Sequence, residues 1–398
     1  MQMRINPNKK VHKIKRDPYK VLAKLALILA VCVVAGVGIF YLCSKAVERD
    51  YVAKRDQIDQ MNEENEVEFN TRLNELRAGA NSAFSDPISG DTVDENLPSW
   101  EKTLDGKVWR VEDEGKTGLE NVSTVTMSRS ELLQGGLINP WHSVPSDYSY
   151  EGLISVGSTS GYKIPVTDNT VQLFPAAYEG LLSLINRCTE AGYDSYIVRQ
   201  GYRSNEEQTK LFEDAMQRLS SQYSGDILIE QTKKDVNYPG TSEYQSGFAF
   251  QMGLYNRDAA IANTLGKFSE DKRGQYFIEN CWKDGIVFRF PVDGFPRSDW
   301  ESKTYKTGIS AKLLLFRYVG NAHAAVMRTM DYCLEEYLEF LIAHPHITVY
   351  EDGALRYEIY RISGADGDSF TLPVPNPASS YQASLDNLGG VVLAYTYN

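Results

Sequence analysis

A 19-residue stretch without a charged side chain, LALILAVCVVAGVGIFYLC from Leu25 to Cys43, is the strongest constraint on how this chain folds. A helix rises about 1.5 Å per residue, so this stretch nearly spans a hydrocarbon core about 30 Å thick. The apolar part of a cleaved signal peptide is usually shorter, about 7 to 15 residues, and ends at small residues rather than at IFYLC. The sequence therefore predicts a transmembrane helix at 25–43. A cleaved signal is the alternative, and lipidation of Cys43 is a weaker one.

The charges are distributed unevenly on the two sides of this stretch. Residues 1–24 carry eight basic side chains and one acidic one, a net charge of +7. The net charge of the whole chain is −12, so the remaining 374 residues carry a net charge of −19. Lys and Arg favour the cytoplasmic side of a membrane, which predicts a basic cytoplasmic tail at 1–24 and a main domain outside the cell. A main body this acidic is unsuited to a phosphate backbone, so nucleic-acid binding is excluded.

Two connecting segments are predicted after the span. Residues 44–80 are polar and helix-favouring, with apolar side chains near spacings of three and four. They predict a helical stalk, which either pairs as a weak homo-oligomer or serves as a solvated spacer. Residues 81–131 begin with a linker rich in Ser, Asp, Pro and Gly and continue into entry strands at Lys107–Val111 and Ser123–Met127.

The main body alternates between strand-like and helical segments, which predicts an α+β domain. Its helices are predicted at Pro175–Gly192, at Ser204–Leu219 with Ser204 and Glu207 as a capping box, and at Asn321–Ala343. Strands are predicted at Tyr196–Val198 and Ile286–Phe290. Beyond Pro345, four short β-like runs separated by turns predict a small β appendage over 346–398. The runs are Ile347–Tyr350, Leu355–Ile362, Phe370–Leu372 and Val391–Tyr397.

Neither cysteine nor histidine predicts a metal centre or a disulfide framework. Cys32 and Cys43 fall in the predicted span, which leaves Cys188, Cys281 and Cys333, an odd number in helical contexts. They are predicted to be buried thiols, with a Cys281–Cys333 bridge as the alternative. Four histidines occur in the main body: His142, His323, His344 and His346. A structural role is favoured for His323, and a structural role is favoured over metal binding for His344 and His346.

Four motifs carry a resemblance to a known family. They are GYRSNEEQTKLF at 201–212, YPGTSEYQSGFAFQMG at 238–253, GIVFRFP at 285–291 and TGISAKLLLFRYVGNAHA at 307–324. Their order and spacing, with an upstream LINPWHSVPSDY, resemble the VanY-type D-alanyl-D-alanine carboxypeptidases, zinc peptidases that trim the stem peptides of bacterial cell wall. The resemblance covers about residues 132–345. It implies a DD-carboxypeptidase-like core, with an antiparallel sheet flanked by helices.

The resemblance fails at the residues that perform the chemistry. Family members carry Ser-x-His-x-x-Gly-x-Ala-x-Asp and a later Glu-Pro-Trp-His, and here only Ser242, Gly247 and Ala249 of these keep their identity. The three zinc-ligand positions hold Tyr244, Gln251 and Leu315, and the general-base position holds Lys312. A catalytic zinc needs three protein donors and an open water position, and Leu315 has no donor atom. No catalytic residue, metal or cofactor is therefore expected. Zinc is expected only under the alternative that the chain is an enzyme.

The residues that remain indicate binding. By the resemblance, Arg203 matches the family arginine that contacts the scissile carbonyl, and Gln208 and Ser242 match positions that line the substrate groove. A guanidinium can also pair with a peptide carboxylate without a metal, and Lys312 adds a second positive charge for it. The alternative for Arg203 is a purely structural role, in which it stabilises the turn between its strand and the following helix. The leading hypothesis is a membrane-anchored extracytoplasmic pseudopeptidase that binds peptidoglycan stem peptides or a cell-wall protein partner. The alternatives are a D-alanyl-D-alanine carboxypeptidase with an unorthodox active site, and a scaffold whose cleft is closed by Tyr244, Leu314 and Leu315.

Overall fold

A computed structural model describes most of the chain from Pro98 to Asn398. The gaps are 116–122, 129–131, 133–135, 145–149, 158–163, 256–264, 310–313, 364–368 and 375–379, and before residue 98 only scattered residues are described. The chain divides into two compact units, Met1–Asp59 and Gln60–Asn398.

The predicted membrane span lies only partly within the described residues. Residues 26–31, 33–39 and 41–42 are helical and exposed. Among the residues that the structure describes, no helix combines the length and the apolar character that crossing a bilayer requires. The tail at 1–24, the stalk at 44–80 and the linker at 81–97 lie almost wholly outside the described residues and stay predictions.

The described part of the second unit is an α+β fold with fourteen strands and eight α-helices, which confirms the predicted class. The strands are β1 Ser99–Leu104, β2 Lys107–Asp113, β3 Ser123–Ser128, β4 Ile154–Ser155, β5 Gln172–Leu173, β6 Tyr196–Gln200, β7 Ala249–Leu254, β8 Ile286–Phe288, β9 Leu315–Tyr318, β10 His346–Glu351, β11 Ala354–Ser363, β12 Ser369–Val374, β13 Ser380–Leu385 and β14 Gly390–Thr396. The helices are α1 Pro175–Glu190, α2 Asn205–Leu219, α3 Gly225–Asp235, α4 Leu265–Glu270, α5 Lys272–Asn280, α6 Thr304–Thr307, α7 Asn321–Met330 and α8 Leu334–Ala343.

A four-stranded antiparallel sheet, in the order β6-β7-β9-β8, carries the motifs quoted above. Helix α1 packs on it through buried Leu181, Leu184 and Cys188. Helix α2 begins after Ser204 in the predicted capping box: Glu207 N donates to Ser204 Oγ at 3.1 Å, and Ser204 N donates to Glu207 Oε2 at 2.8 Å. Apolar periodicity and the capping box in the sequence therefore predicted closely where the two helices beside this sheet lie.

The single helix predicted at Asn321–Ala343 is wrong, because α7 ends at Met330 and α8 starts at Leu334. Asp331 takes a left-handed conformation with φ of 55°, which Asp tolerates better than most residues. The backbone amides of Asp331 and Tyr332 both donate to Met327 O, which ends the first helix. Apolar periodicity continues through this break, so it could not reveal the turn.

A six-stranded antiparallel sheet, in the order β1-β2-β10-β11-β14-β13, joins β1 and β2 to the C-terminal strands. Strand β2 pairs with β10, placing Val111 opposite Val349, and both side chains are fully buried. Trp109 of β2 contacts Trp282 edge-on, with ring centroids 5.3 Å apart. The prediction of a separate β appendage at 346–398 was therefore too narrow, because β1 and β2 complete its sheet and share its core with α7 and α8.

The cysteine prediction is confirmed for the described residues. Cys188, Cys281 and Cys333 are buried and unbridged, and burial raises the pKa of the Cys188 thiol to about 11 and that of Cys281 to about 12. His344 and His346, predicted to have structural roles, each form a hydrogen bond with a different carboxylate. His344 Nδ1 lies 2.6 Å from Asp113 Oδ2, and His346 Nε2 lies 2.8 Å from Glu358 Oε1.

His323 occupies the buried face of α7, in agreement with the predicted structural role, and its Nδ1 lies 2.6 Å from the hydroxyl of Tyr337. Burial lowers the pKa of His323 from 6.5 to about 4, because the charged imidazole would lose its hydration. The folded protein therefore holds this side chain neutral over a pH range in which the unfolded chain binds a proton.

This difference makes the free energy of unfolding depend on pH. The contribution of His323 to the free energy of unfolding is fully present above 6.5, the pKa of the unfolded chain. This contribution falls by roughly 3 kcal/mol as the pH falls toward 4. Urea unfolding at neutral pH and at about pH 4.5 should show a smaller loss of stability for His323→Gln than for the natural protein. Equal losses in the two proteins would contradict this assignment, since carboxylates contribute to both curves alike.

Candidate functional site

A cleft of about 590 Å³ opens at the edge of the four-stranded sheet. Its walls come from the ends of β6 and β7, the turn before α2, helix α3 with the segment that follows it, and two loops. The residues that line it are Pro140, Trp141, Gln200, Arg203, Leu211, Glu230, Lys233, Lys234, Asp235, Val236, Asn237, Tyr238, Thr241, Ser242, Tyr244, Gln251, Gly308 and Ile309. The cleft thus contains Arg203 and Ser242 of the predicted binding set, together with Tyr244 and Gln251.

Arg203 stands in the turn between β6 and α2 and is held from two sides. Its Nη1 donates to Gln208 Oε1 at 2.5 Å, and its guanidinium lies over the ring of Tyr244, 4.7 Å from the ring centroid. Its backbone amide also donates to Tyr244 O at 3.1 Å. Gln208 is fully buried and donates its amide to Asn237 O, so it orients Arg203 from behind and does not line the cleft.

Arg203 forms no ion pair with a carboxylate among the described residues, although the charge of Glu207 partly offsets the effect of burial on the pKa of Arg203. No acidic side chain in the described part of the chain lies within 4.0 Å of its guanidinium, and Glu207 is engaged in capping α2. Burial lowers the pKa of Arg203, but an arginine remains charged near neutral pH. A partly buried cation bonded only to a neutral amide and an aromatic ring is a ready site for an anionic ligand.

The three positions that the family resemblance assigns to zinc ligands lie close together in space. Antiparallel pairing places Gln251 of β7 directly opposite Leu315 of β9, and Tyr244 packs with Leu315, Phe290 and Ile309 in one apolar cluster. Leu315 is almost fully buried and does not line the cleft, whereas the other two positions do. Bulky side chains therefore fill only the place where the resemblance would put a metal ion. The cleft beside this place is open in the described structure.

The side chains at these positions do not fit a zinc peptidase site. Burial raises the pKa of Tyr244 to about 12, against the opposing effect of Arg203 and Arg199, so its hydroxyl stays protonated near neutral pH. Gln251 offers a neutral amide, and Leu315 offers no donor. Within the described ranges, no group of three His, Cys, Asp or Glu side chains is placed to hold a metal ion. Lys312 lies in the gap at 310–313, so its role stays a prediction.

The backbone frame of the motif is nevertheless kept. Ser242 precedes a short 3-10 helix, Glu243–Ser246, and Gly247 ends it with φ of 72°. A Cβ atom at Gly247 would come within 2.7 Å of the Phe174 ring, and the positive φ is strained for other residues. Gln245 Oε1 accepts from Gly240 N at 2.8 Å and so secures the loop that leads into this turn. The motif's Ser and Gly thus shape the turn that presents Tyr244.

Sequence analysis missed a buried network of four charges behind the cleft. Glu243 accepts from Arg289 Nε at 2.5 Å through one carboxylate oxygen and from Arg317 Nη1 through the other. Arg289 also forms a two-pronged pair with Glu335, at 2.9 and 2.7 Å. All four side chains are at most 4% exposed. Charged residues within apolar strand sequences, as in IVFRF and LLFRY, were the signal that could have revealed it.

The network also holds the loop at the cleft entrance. Asn139 Nδ2 donates to Glu335 Oε1 at 2.8 Å, and Arg317 Nη2 donates to Gly136 O at 3.1 Å. Pro140 and Trp141, which line the cleft, follow directly after Asn139. The four charges therefore connect β8, β9, α8 and the 3-10 helix to the cleft wall.

Removing Glu243 should be far more costly than breaking an exposed ion pair. Glu243→Ala leaves two buried guanidinium groups partly unpaired, and we expect it to lower the free energy of unfolding by about 3 to 5 kcal/mol. The control, Asp214→Ala, breaks the exposed pair with Lys210 and should cost about 1 kcal/mol or less. Urea unfolding of both variants measures the difference, and similar losses would show that the network contributes little.

Comparisons with known proteins agree on one family. The VanY family model, described as D-alanyl-D-alanine carboxypeptidase, matches residues 170–320. A D-alanyl-D-alanine carboxypeptidase of Enterococcus faecium is 25% identical over 280 residues, which cover 69% of this chain and 79% of that protein. The bifunctional D-Ala-D-Ala dipeptidase and carboxypeptidase VanXYC of Enterococcus gallinarum is 31% identical over 177 residues, 44% of this chain and 83% of that protein.

A solved structure shows the same fold. The vancomycin resistance D,D-dipeptidase VanXYg, in complex with a D-Ala-D-Ala phosphinate analog, superposes with a TM-score of 0.53 at 23% identity. The match covers 70% of this chain and 100% of that structure. The quoted motifs, the sheet that carries them and the relatives lead to one conclusion. The chain belongs to the VanY family of D-alanyl-D-alanine carboxypeptidases.

Proposed function

We propose that this protein binds the carboxyl-terminal end of a peptidoglycan stem peptide without hydrolysing it. The observation that carries the proposal is Arg203, a partly buried cation that faces an open cleft and has no carboxylate partner among the described residues. A guanidinium pairs with a peptide carboxylate through two parallel hydrogen bonds and needs no metal for this. Relatives named for action on D-Ala-D-Ala suggest which carboxylate is bound.

The absence of hydrolysis is proposed from the chemistry of the motif positions. A peptidase zinc lowers the pKa of its bound water to about 7, and a carboxylate base accepts the water's proton. Tyr244, Gln251 and Leu315 cannot supply this ligand set, and Lys312 at the base position carries a proton already. Lys312 would instead add a second positive charge for the ligand carboxylate.

The cellular setting is part of the same proposal. The uncharged run at 25–43 would anchor the chain in the cell membrane, with the basic tail inside and the peptide-binding domain outside. A stalk at 44–80 would hold that domain away from the bilayer. This arrangement would bring the cleft to the cell wall, where stem peptides or a cell-wall protein partner are found.

A second candidate is a D-alanyl-D-alanine carboxypeptidase that uses a different set of residues. It is favoured by relatives that bear this name and match most of their length. Hydrolysis with bound zinc would support it, whereas hydrolysis without any metal would require a nucleophile or base from outside the motif positions.

Titration calorimetry with diacetyl-L-lysyl-D-alanyl-D-alanine on the full chain in detergent micelles tests the proposal. We expect binding that is unchanged by EDTA or by added zinc, and no release of D-alanine. Arg203→Met should weaken binding by about 10- to 100-fold, because it removes a hydrogen-bonded charge pair. Arg218→Met, at an exposed position of α2 outside the cleft, is the matched control and should bind like the natural protein.

The outcomes separate the candidate functions. Stoichiometric zinc together with D-alanine release would overturn the binding proposal in favour of the carboxypeptidase. An absence of both binding and hydrolysis would overturn it in favour of a scaffold, whose partner contacts lie elsewhere. Binding that is indifferent to Arg203→Met would show that the arginine only braces its turn.

A further inference from the structure

Two side chains at former metal-ligand positions present unused hydrogen-bonding groups to the cleft. Tyr244 and Gln251 both line it, and in the part of the chain that the structure describes neither side chain makes a hydrogen bond through its hydroxyl or amide. Neither group is among the buried polar atoms sealed from solvent without a partner. Both groups are therefore open to the cleft and to a ligand within it.

The Tyr244 hydroxyl is held in place by its surroundings. The ring lies beneath the Arg203 guanidinium at 4.7 Å and packs against Phe290, Ile309 and Leu315 on its apolar side. The Tyr244 side chain is only 9% exposed. A donor positioned in this way loses little conformational freedom on binding, which favours affinity.

Gln251 is fixed by its place in the sheet. Strand β7 lies between β6 and β9, and the Gln251 backbone is paired with Gln200 on one side and Leu315 on the other. Its amide can both donate and accept, which suits a peptide group with one N–H and one C=O. Neither this amide nor the Tyr244 hydroxyl adds charge to the cleft.

We propose that Tyr244 and Gln251 are ligand-binding residues: the Tyr244 hydroxyl donates to the same carboxylate that Arg203 holds, and the Gln251 amide bonds the adjoining peptide group. The inference rests on the proposed function and defines its ligand as a peptide with a free carboxyl terminus. The phenol and the amide stand at positions that the resemblance assigns to metal ligands, and here they serve recognition. Recognition of the carboxylate then needs no metal ion.

Tyr244→Phe is the first test, because it removes the hydroxyl and keeps the ring beneath Arg203. Titration with diacetyl-L-lysyl-D-alanyl-D-alanine should show about 10- to 100-fold weaker binding, since a hydrogen bond to a charged group is lost. The thermal midpoint should stay that of the natural protein. Tyr255→Phe, at an exposed tyrosine outside the cleft, is the matched control and should leave the affinity unchanged.

A peptide whose carboxyl terminus is capped as an amide separates the two contacts. The natural protein should bind it more weakly, and Tyr244→Phe should bind it as the natural protein does, because the carboxylate partner is gone. Gln251→Leu should weaken binding of both peptides by about 3- to 10-fold, because it loses a neutral hydrogen bond to the peptide group. The double variant Arg203→Met with Tyr244→Phe should lose less than the product of the single losses, because both side chains hold one carboxylate.

The failure of this inference is distinguishable from the failure of the proposed function. If the natural protein does not bind the peptide at all, the proposed function fails. If it binds, and Arg203→Met weakens binding while Tyr244→Phe does not, only the role of Tyr244 is overturned and the ring serves packing alone. Natural affinity in Gln251→Leu would likewise overturn the role of Gln251.

Discussion

The buried charge network of Glu243, Arg289, Glu335 and Arg317 is the interaction on which the arrangement of this domain depends. Two guanidinium groups and two carboxylates lie almost without solvent contact, and each charge has an oppositely charged partner. Burying a charge is costly unless it is paired and hydrogen-bonded, so these four side chains tolerate only a narrow set of positions. That requirement ties α8 to β8 and β9 and to the short helix that carries Tyr244.

The network fixes the cleft as well as the core. Glu243 is the neighbour of Tyr244 in the chain, and Tyr244 forms the surface on which Arg203 rests. Asn139, bonded to Glu335, brings the loop with Trp141 to the opposite wall. The cleft can thus keep its shape without a metal ion to draw its residues together. The apolar contacts of Leu315 with Tyr244, Phe290 and Ile309 fill the position where a ligand set would converge.

The chemistry of the cleft differs in kind from that of a zinc peptidase while the backbone frame is shared. Ser242 and Gly247 still shape the turn, and the antiparallel register still places Gln251 opposite Leu315. Tyr244, Gln251 and Arg203 present a phenol, an amide and a guanidinium without an ion-pair partner, which suit a carboxylate and a peptide group rather than the metal ion that activates water in a zinc peptidase. This difference is the basis for the proposal that the domain binds a peptide on a peptidase frame.

The sequence by itself determined what depends on neighbouring residues. The α+β class, the start of α1 and the capping box of Ser204 and Glu207 follow from local periodicity and capping, and the motif positions of Arg203 and Tyr244 follow from the resemblance to the VanY family. The tertiary structure alone decided the break at Asp331, the pairing of β2 with β10, and the network that joins Glu243 to Arg289. Long-range partners leave no local pattern in the chain, because strand pairing and buried charge compensation join residues far apart in sequence. The structure therefore decided which charged side chains balance one another, and it leaves the half-buried Arg203 facing the cleft without an ion-pair partner among the described residues.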